Sequence, residues 1–421
     1  MFRFRFQRRG NGNRNRKVPL ILEGARAMGR TMSRLSLAAA LGVTVLAQGP
    51  RVELIGFAVL PPDTFAEGPP SGRFLSPSAR GAGFASQPVQ GFSSIRPDRR
   101  RPGWWLVLCD NGYGTKANSA DFLLRIYAVH PAWRDEGGEP APVEVGRMIQ
   151  LADPDRRVPF RLAREDTAER WLTGGDFDPE SFVQATDGTF WIGDEFGPYL
   201  LHADASGRLL APPFDVEGLR SPDHHAVPVP DAGAVSAATV KRSRGFEGLA
   251  IDADGSRLVA LLESGTFGDA PDTTRLLEFD LAAERFTGRT WTCRVGTPGA
   301  NVTELVAYAP GRYLVVERDN GAGSDARVKR VLAIRLAEPG PVAETVLVAD
   351  LLDIADPGNL SGRGARFTFP FITPEAVWPE DLQTLVLVND NNYPGGGGRA
   401  PAGSKDASEF IRLRLPARLP R

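Results

Sequence analysis

The amino-acid sequence predicts an all-β fold, a β-propeller of five to six four-stranded blades closed by an N-terminal strand. One plan, two short apolar strands separated by a tight turn, returns five times with a period of about 55 to 90 residues. The chain contains 46 glycines and 35 prolines, as expected for many short strands joined by turns. The last repeat lacks one strand, and residues 51–60 have the pattern of a strand that completes it.

The five repeats support this prediction individually. They begin close to residues 91, 178, 245, 302 and 373. Turn sequences such as Asp187-Gly188 and Asp254-Gly255 separate the two apolar runs of a repeat and predict a hairpin. The runs are rich in Val, Leu, Ile and aromatic residues, as strands buried on both faces between stacked blades require.

Two regions depart from the repeat. Residues 205–244 have a poor strand pattern, so five blades are counted and a sixth is left open there. Residues 160–172 are helix-forming and predict a short helix on a surface insertion between the first two blades.

The first 47 residues predict a basic N-terminal extension and a signal peptide, followed by one domain over 48–421. Residues 1–34 are rich in arginine, and residues 35–47 form an apolar run that ends in small residues before Gln48. A non-cleaved anchor or a disordered basic arm is the alternative. No later segment reaches about 18 consecutive apolar residues, so we expect no stable membrane insertion after cleavage, and a periplasmic or extracellular location.

Composition excludes several classes of function. The formal net charge of −1 argues against a nucleic-acid partner, because binding to a phosphate backbone normally requires a strong basic excess. Four histidines and two cysteines leave little for a zinc site, and Cys109 and Cys293 lie in separate repeats as two buried thiols. The sequence lacks the motifs Gly-x-Ser-x-Gly, His-Glu-x-x-His and Gly-x-x-x-x-Gly-Lys-Ser/Thr, which argues against an α/β-hydrolase, a zinc peptidase and a P-loop NTPase.

Acidic residues recur at both ends of the predicted hairpins. A hairpin places the start of its first strand beside the end of its second, so the acids of one repeat lie at the same end of a blade. If these are the inner strands, the acids of all repeats gather at one mouth of the propeller. The predicted metal ligands are Glu180, Asp194, Glu195, Glu247, Glu263, Glu304, Glu317, Glu375 and Asp390. In the first repeat Ser93 replaces the opening acid and Asp110 keeps the closing one.

The negative charge of such a cluster must be compensated, because neighbouring carboxylates raise each other's pKa or recruit cations. Oxygen-rich sites suit hard ions, so Ca²⁺ is the predicted cofactor, with Mg²⁺ as the second choice. Arg244, Arg318 and Lys329 lie near the acidic motifs and are predicted to neutralise some of the acids or to bind substrate. Alternatively, individual acids only accept hydrogen bonds from the backbone of neighbouring blades.

Several of these motifs, in this order, resemble the family called "esterase-like activity of phytase". The resemblance spans about residues 85–415 and rests on segments 178–182, 191–199, 245–249, 316–321 and 388–394. It implies an exported propeller with a hydrolytic activity. No catalytic residue follows from it.

Three functions are compatible with the sequence. The first is a metal-dependent phosphoesterase, in which a carboxylate-held cation binds phosphate oxygens of a small-molecule substrate and activates water. The second is another metal-dependent hydrolase, such as a lactonase. The third is a non-catalytic binding propeller of the cell envelope. Abundant basic residues facing the acids would favour the first, because phosphate requires cationic partners. A smaller, more apolar pocket around one metal would favour the second, and a filled axis without an open coordination site the third.

Overall fold

The computed structural model describes residues 51–75, 83–134, 141–227, 237–294, 296–401 and 403–421. The predicted extension and signal peptide lie outside the described residues. Within the described ranges the regular structure is β-sheet, apart from one short 3-10 turn at Gly323–Asp325.

Most strands belong to five antiparallel blades of four strands each. The chain begins with β1 (Glu53–Leu60), β2 (Phe65–Ala66) and β3 (Gln87–Pro88). The first blade contains β4 (Phe92–Pro97), β5 (Trp105–Cys109), β6 (Arg125–Pro131) and β7 (Ala141–Gln150). The second contains β8 (Pro179–Gln184), β9 (Phe190–Asp194), β10 (Tyr199–Ala203) and β11 (Phe214–Asp215). The third contains β12 (Phe246–Ile251), β13 (Arg257–Leu262), β14 (Thr273–Asp280) and β15 (Arg285–Arg294).

The remaining strands complete the fourth and fifth blades. The fourth region contains β16 (Asn301–Ala309), β17 (Arg312–Arg318), β18 (Lys329–Arg335), β19 (Gly340–Pro341) and β20 (Glu344–Asp350). Of these, β19 pairs with β15 of the third blade. The fifth region contains β21 (Ile354–Ala355), β22 (Arg366–Phe367), β23 (Ala376–Asp381), β24 (Thr384–Val388) and β25 (Ser408–Arg414).

The inner strands close a ring. Strand β4 contacts β8, β8 contacts β12, β12 contacts β16, β16 contacts β23, and β23 contacts β4 again. Strand β1 pairs antiparallel with β25, from Glu53 opposite Arg414 to Leu60 opposite Ser408, and so becomes the fourth strand of the last blade. The predicted propeller is therefore confirmed, with five blades and an N-terminal closing strand.

How deeply a strand is buried depends on its position in the blade. All five residues of β5 are buried, because this strand is covered by the neighbouring blade on each face. The outer strand β7 instead has mostly exposed or half-buried residues. Apolar side chains thus fill the space between blades, and the two cysteines, Cys109 and Cys293, are buried there as free thiols.

Of the two regions that departed from the repeat, the first adds no sixth blade among the described residues, and the second differs from the prediction. The described part of residues 205–244 contains only β11, which belongs to the second blade. Residues 160–172 form turns, and the predicted helix is wrong. Contacts between residues far apart in sequence hold this segment in place of the backbone hydrogen bonds of a helix. The carboxylate of Asp176 accepts the N–H of Ala163 at 2.7 Å, and Arg170 pairs with Asp153 at 2.9 Å.

Candidate functional site

Irregularities at the start of the inner strands direct side chains towards the propeller axis. The strand register shifts between Pro179 and Ser181 and between Phe246 and Gly248, so Glu180 and Glu247 are each the extra residue of a bulge. Ser93 occupies the corresponding bulge of the first blade. A β-bulge re-aims the side chain of its extra residue, and bulges often occur beside functional sites.

Six carboxyl groups meet at this mouth. Glu180, Glu247 and Glu375, one from each of three blades, offer oxygen atoms within 4.8 Å of one another. Two further groups with the same spacing share members with the first and with each other. They are Asp178 with Glu180 and Glu195, and Glu195 with Glu247 and Glu263. We call these six residues, Asp178, Glu180, Glu195, Glu247, Glu263 and Glu375, the axial cluster.

The axial cluster is nearly closed to solvent. Its residues are between 1% (Glu263) and 8% (Glu180) exposed. Burial, reinforced by the neighbouring carboxylates, raises the pKa of Glu180, Glu195 and Glu247 well above the usual range. Burial and Asp390 also raise the pKa of Glu375 to about 8. The raised pKa values favour the protonated form of these groups, whereas a bound cation would favour the ionised form.

Two arginines contact the axial cluster. Nη2 of Arg318 lies 2.7 Å from Oε1 of Glu263 and 3.7 Å from Oε1 of Glu375. Nη1 of Arg244 lies 2.5 Å from the other oxygen of Glu263. Both predicted arginines therefore lie at the site, and both form ion pairs mainly with Glu263. Two guanidinium groups balance at most two of the six carboxylates, so the others are neutralised only by protons or by a bound cation.

Lys329, the third predicted cation, does not reach the axial cluster. Its ammonium group is enclosed between the fourth and fifth blades, where Nζ donates to the backbone oxygens of Asp319 at 2.6 Å and Ile372 at 3.2 Å. It also lies 2.9 Å from Oδ1 of Asp319. Burial lowers the pKa of Lys329 to about 8. Its donors are used to join two loops, so the predicted contact with substrate is replaced by a structural one.

Two predicted ligands face away from the axis because side chains alternate along a strand. Asp194 precedes Glu195 and accepts the backbone N–H groups of Asp178 and Gly197, both at 2.7 Å. Burial raises its pKa to about 7. Glu317 precedes Arg318 and accepts the backbone N–H of Thr297 at 3.0 Å. Both carboxylates thus support neighbouring turns.

Glu304 also departs from the expected arrangement. Its strand shifts register between Thr303 and Val306, so Glu304 and Leu305 lie opposite the single residue Val315, and Glu304 has a left-handed φ of 49°. The side chain consequently lies in the interior beside Arg96, whose Nη1 and Nη2 donate to its two oxygens at 2.8 and 2.9 Å. None of the three groups of the axial cluster contains Glu304.

Asp390 and Asp110 flank the axial cluster on the side of the first and fifth blades. Oδ1 of Asp390 accepts the N–H of Asn392 at 2.7 Å, and Oδ1 of Asp110 accepts the N–H of Gly112 at 2.8 Å. Burial raises the pKa of Asp390 to about 6, and burial together with Asp390 raises the pKa of Asp110 well above its usual range. Charge on either residue therefore opposes ionisation of the cluster.

Asp178 is the site residue that sequence reasoning missed. Asn111 of the first blade donates to it twice, from the backbone N–H at 3.0 Å and from Nδ2 at 2.6 Å. Asp178 precedes its strand and lies one blade away from Asn111, so the repeat pattern did not mark it. The available signal was the spacing Asp178-Pro179-Glu180, two acids at the entrance of one inner strand.

The fold and site define a five-bladed propeller with a buried carboxylate cluster at one end of its axis. Residues 87–393 match the family model described as "Phytase-like: Esterase-like activity of phytase". The chain belongs to this family, as the motifs predicted.

Other known proteins are similar over part of the chain. An "Uncharacterized secreted protein" of Arthroderma benhamiae is 28% identical over 267 residues, which are 54% of this chain and 50% of that protein. The chain thus matches about half the length of this curated relative.

Among solved structures, a luciferin-regenerating enzyme has a TM-score of 0.38 at 13% identity, with 87% of this chain and 95% of that chain covered. The exo-beta-1,3-galactanase of Phanerochaete chrysosporium has a TM-score of 0.39 at 10% identity, with 78% and 61% covered.

Proposed function

We propose that this protein is an exported hydrolase that binds a divalent cation in the axial cluster and cleaves phosphate esters of small molecules. The observation that carries the proposal is the imbalance at the propeller mouth: six buried carboxyl groups are contacted by two guanidinium groups, Arg244 and Arg318. A cation relieves the repulsion between these carboxylates without requiring that they bind protons.

The donor set fits a hard ion. All candidate donors are carboxylate oxygens, which suit Ca²⁺ or Mg²⁺, and Ca²⁺ accepts six to eight oxygen ligands in irregular arrangements. Glu180, Glu247 and Glu375 would hold the ion from three blades. Glu195 and Glu263 extend the donor set on one side. When bound, such an ion polarises a phosphoryl oxygen and acidifies a coordinated water.

The arginines favour phosphate over an uncharged ester. Arg318 and Arg244 place two guanidinium groups beside the carboxylates that would hold the cation. Guanidinium forms strong paired hydrogen bonds with phosphate oxygens, whereas a lactone offers only a neutral carbonyl. Their ion pairs with Glu263 hold these arginines in position, so little ordering is needed when an anion arrives.

Export is the other part of the proposal. The apolar run at residues 35–47 and the name of the Arthroderma benhamiae relative, a secreted protein, support it. No helix among the described residues has the length and apolarity to span a membrane.

The decisive experiment is an activity screen of the purified mature protein against phosphate monoesters and lactones, with Ca²⁺ and with EDTA. We expect hydrolysis of phosphate esters that requires Ca²⁺ and is lost in E247Q, which removes one charge from the cluster. D254N, at an exposed hairpin turn of the same blade, is the matched control and should retain activity. Lactone hydrolysis alone contradicts the substrate class. Calcium binding without turnover of either substrate contradicts catalysis and identifies a binding propeller.

A further inference from the structure

A cavity of about 410 Å³ lies between the third and fourth blades, at the end opposite the axial cluster. It is bordered by the turn at residues 252–256, which joins β12 to β13, and by Pro310-Gly311, which joins β16 to β17. Glu247 and Glu263 of the axial cluster lie at the other ends of β12 and β13. The cavity also has an apolar wall, to which Val259, Trp291 and Leu336 contribute. Its volume is within the range of small-molecule sites.

The charges around this cavity are unbalanced. It is lined by three carboxylates and one guanidinium group, those of Asp252, Asp254, Glu278 and Arg257. Nη1 of Arg257 lies 3.4 Å from Oε1 of Glu278 and 3.0 Å from Oδ2 of Asp280, so this cation is already paired. Among the residues that the structure describes, no ion pair reaches Asp252 or Asp254. Burial, together with the neighbouring carboxyl of Asp254, raises the pKa of Asp252. The cavity therefore favours a positively charged occupant.

Two oxygen atoms on the charged side of the cavity can accept further hydrogen bonds. Oδ2 of Asp252 is contacted by the hydroxyl of Ser256 at 3.4 Å, a weak hydrogen bond that leaves capacity for a shorter one. The other oxygen is the hydroxyl of Tyr313, a residue that lines the cavity and is 4% exposed. Within the described part of the chain this hydroxyl has no hydrogen-bond partner. Burial, followed by Asp252 and Glu278, raises the pKa of Tyr313 to about 12, so the phenol keeps its proton at neutral pH. Buried polar groups are normally hydrogen-bonded, so the free hydroxyl indicates an occupant of the cavity.

We propose that this cavity binds a small organic cation, a primary alkylammonium whose nitrogen donates to Asp252 and Tyr313 and whose alkyl chain packs against the apolar wall. An ammonium group is a compact charge with three donors, and its hydrogen bond to a carboxylate is charge-assisted. Asp254, at the exposed edge of the cavity, adds negative charge. The site is separate from the axial cluster, and the proposal does not rest on hydrolase activity.

The test is isothermal titration calorimetry with pentylammonium, in EDTA so that no metal ion competes for carboxylates. Pentanol and pentanoate carry the same chain with no charge and with a negative charge. We expect wild type to bind pentylammonium at least about tenfold more tightly than either control ligand. D252N, which keeps an oxygen for the turn, should weaken binding about ten- to hundredfold, and Y313F, which removes only the hydroxyl, about tenfold. E284Q removes an exposed carboxylate from the next turn of the same blade and should stay within about twofold of wild type.

Several results would overturn the proposal. If pentanol binds as tightly as pentylammonium, the cavity does not recognise the charge. An equal loss of affinity in D252N and E284Q indicates non-specific attraction to a negative surface. Wild-type affinity in both D252N and Y313F places the ammonium group elsewhere, and a wild-type protein that does not bind pentylammonium has no such site. If D252N does not fold, Y313F decides alone, because the ring that packs in the core is kept. All these measurements are made without metal, so they hold whether or not the axial cluster binds Ca²⁺.

Discussion

Arg96 and Glu304 form a two-pronged ion pair across the propeller axis, with Nη1 to Oε2 at 2.8 Å and Nη2 to Oε1 at 2.9 Å. They belong to the first and fourth blades, which are not neighbours in the ring. Arg96 also donates to the backbone oxygen of Leu249 in the third blade, at 3.2 Å. One buried pair therefore connects three blades.

Breaking this pair should strongly destabilise the fold, and it should leave metal binding at the axial cluster unchanged. Removing one charge of a buried ion pair costs roughly 3–5 kcal/mol, because the partner stays buried and uncompensated. E304Q should lose about that much free energy of unfolding in urea titrations. E380Q, which breaks the solvent-exposed pair with Arg412, should lose less than about 1 kcal/mol. If E304Q loses no more free energy of unfolding than E380Q, the prediction for the Arg96–Glu304 pair is wrong.

Calcium should stabilise the folded protein through the axial cluster. A bound ion contributes about 2.7 kcal/mol at a hundredfold excess over Kd, so Ca²⁺ should raise the Tm and EDTA should lower it. E247Q and E195Q should reduce the response while the protein still folds. E317Q and D254N should respond like wild type, because Glu317 supports a loop and Asp254 lies at an exposed turn. A Tm that changes neither with Ca²⁺ nor with EDTA contradicts the prediction of a metal site in the axial cluster.

Without metal, the protein should become less stable as the pH rises from 6.5 to 8. The folded pKa is about 8 for Glu375 and about 7 for Asp194, above the values of 4.5 and 3.8 that we take for the unfolded chain. In this range the folded protein holds protons that the unfolded chain has released, so stability falls with pH. Two groups contribute with the opposite sign: His224 below pH 6.5, because burial lowers its pKa to about 4, and Lys329 near pH 8, because burial lowers its pKa to about 8.

The measurement is the Tm at several pH values, in EDTA and in Ca²⁺. Calcium should flatten the slope, since a bound cation replaces the protons. E375Q, with no proton to lose at that position, should have a smaller slope in EDTA. A Tm in EDTA that rises between pH 6.5 and 8 is incompatible with buried carboxyl groups whose pKa is raised.

Export should leave a processed amino terminus. Small residues end the apolar run just before Gln48, where a signal peptidase would cut. Mass spectrometry of the protein from its native source should find a terminus near Gln48. A cytosolic protein that retains its arginine-rich first residues excludes the signal peptide.

The architecture was largely readable from the sequence, because each blade repeats one hairpin. The third repeat was expected to begin at Gly245, and its inner strand begins at Phe246. Residues 51–60 were assigned to the closing strand, which spans Glu53–Leu60. An apolar run of this kind predicts a buried strand, and the turn residues at its ends predict where the strand begins and ends.

Side-chain direction was less predictable, because it depends on bulges that periodicity does not reveal. One extra residue aims Glu247 at the axis, whereas one extra residue in β16, with a left-handed φ at Glu304, sends Glu304 towards Arg96. Lys329 is close to Arg318 in sequence, yet its backbone acceptors come from a different blade as well as its own. Such non-local contacts leave no trace in a single repeat.

The pairing of β1 with β25 has a consequence for the biogenesis of the protein. A ribosome makes β1 before the first four blades, and its partner β25 emerges only after them. Until β25 is made, the backbone N–H and C=O groups along the edge of β1 are unpaired, and such an edge is prone to pair with a wrong strand. The contact between β1 and β25 also joins residues that are very far apart in sequence. A nascent chain that stops early cannot complete its last blade and stays accessible to proteases. Closure of the ring therefore requires that all five blades have been synthesised.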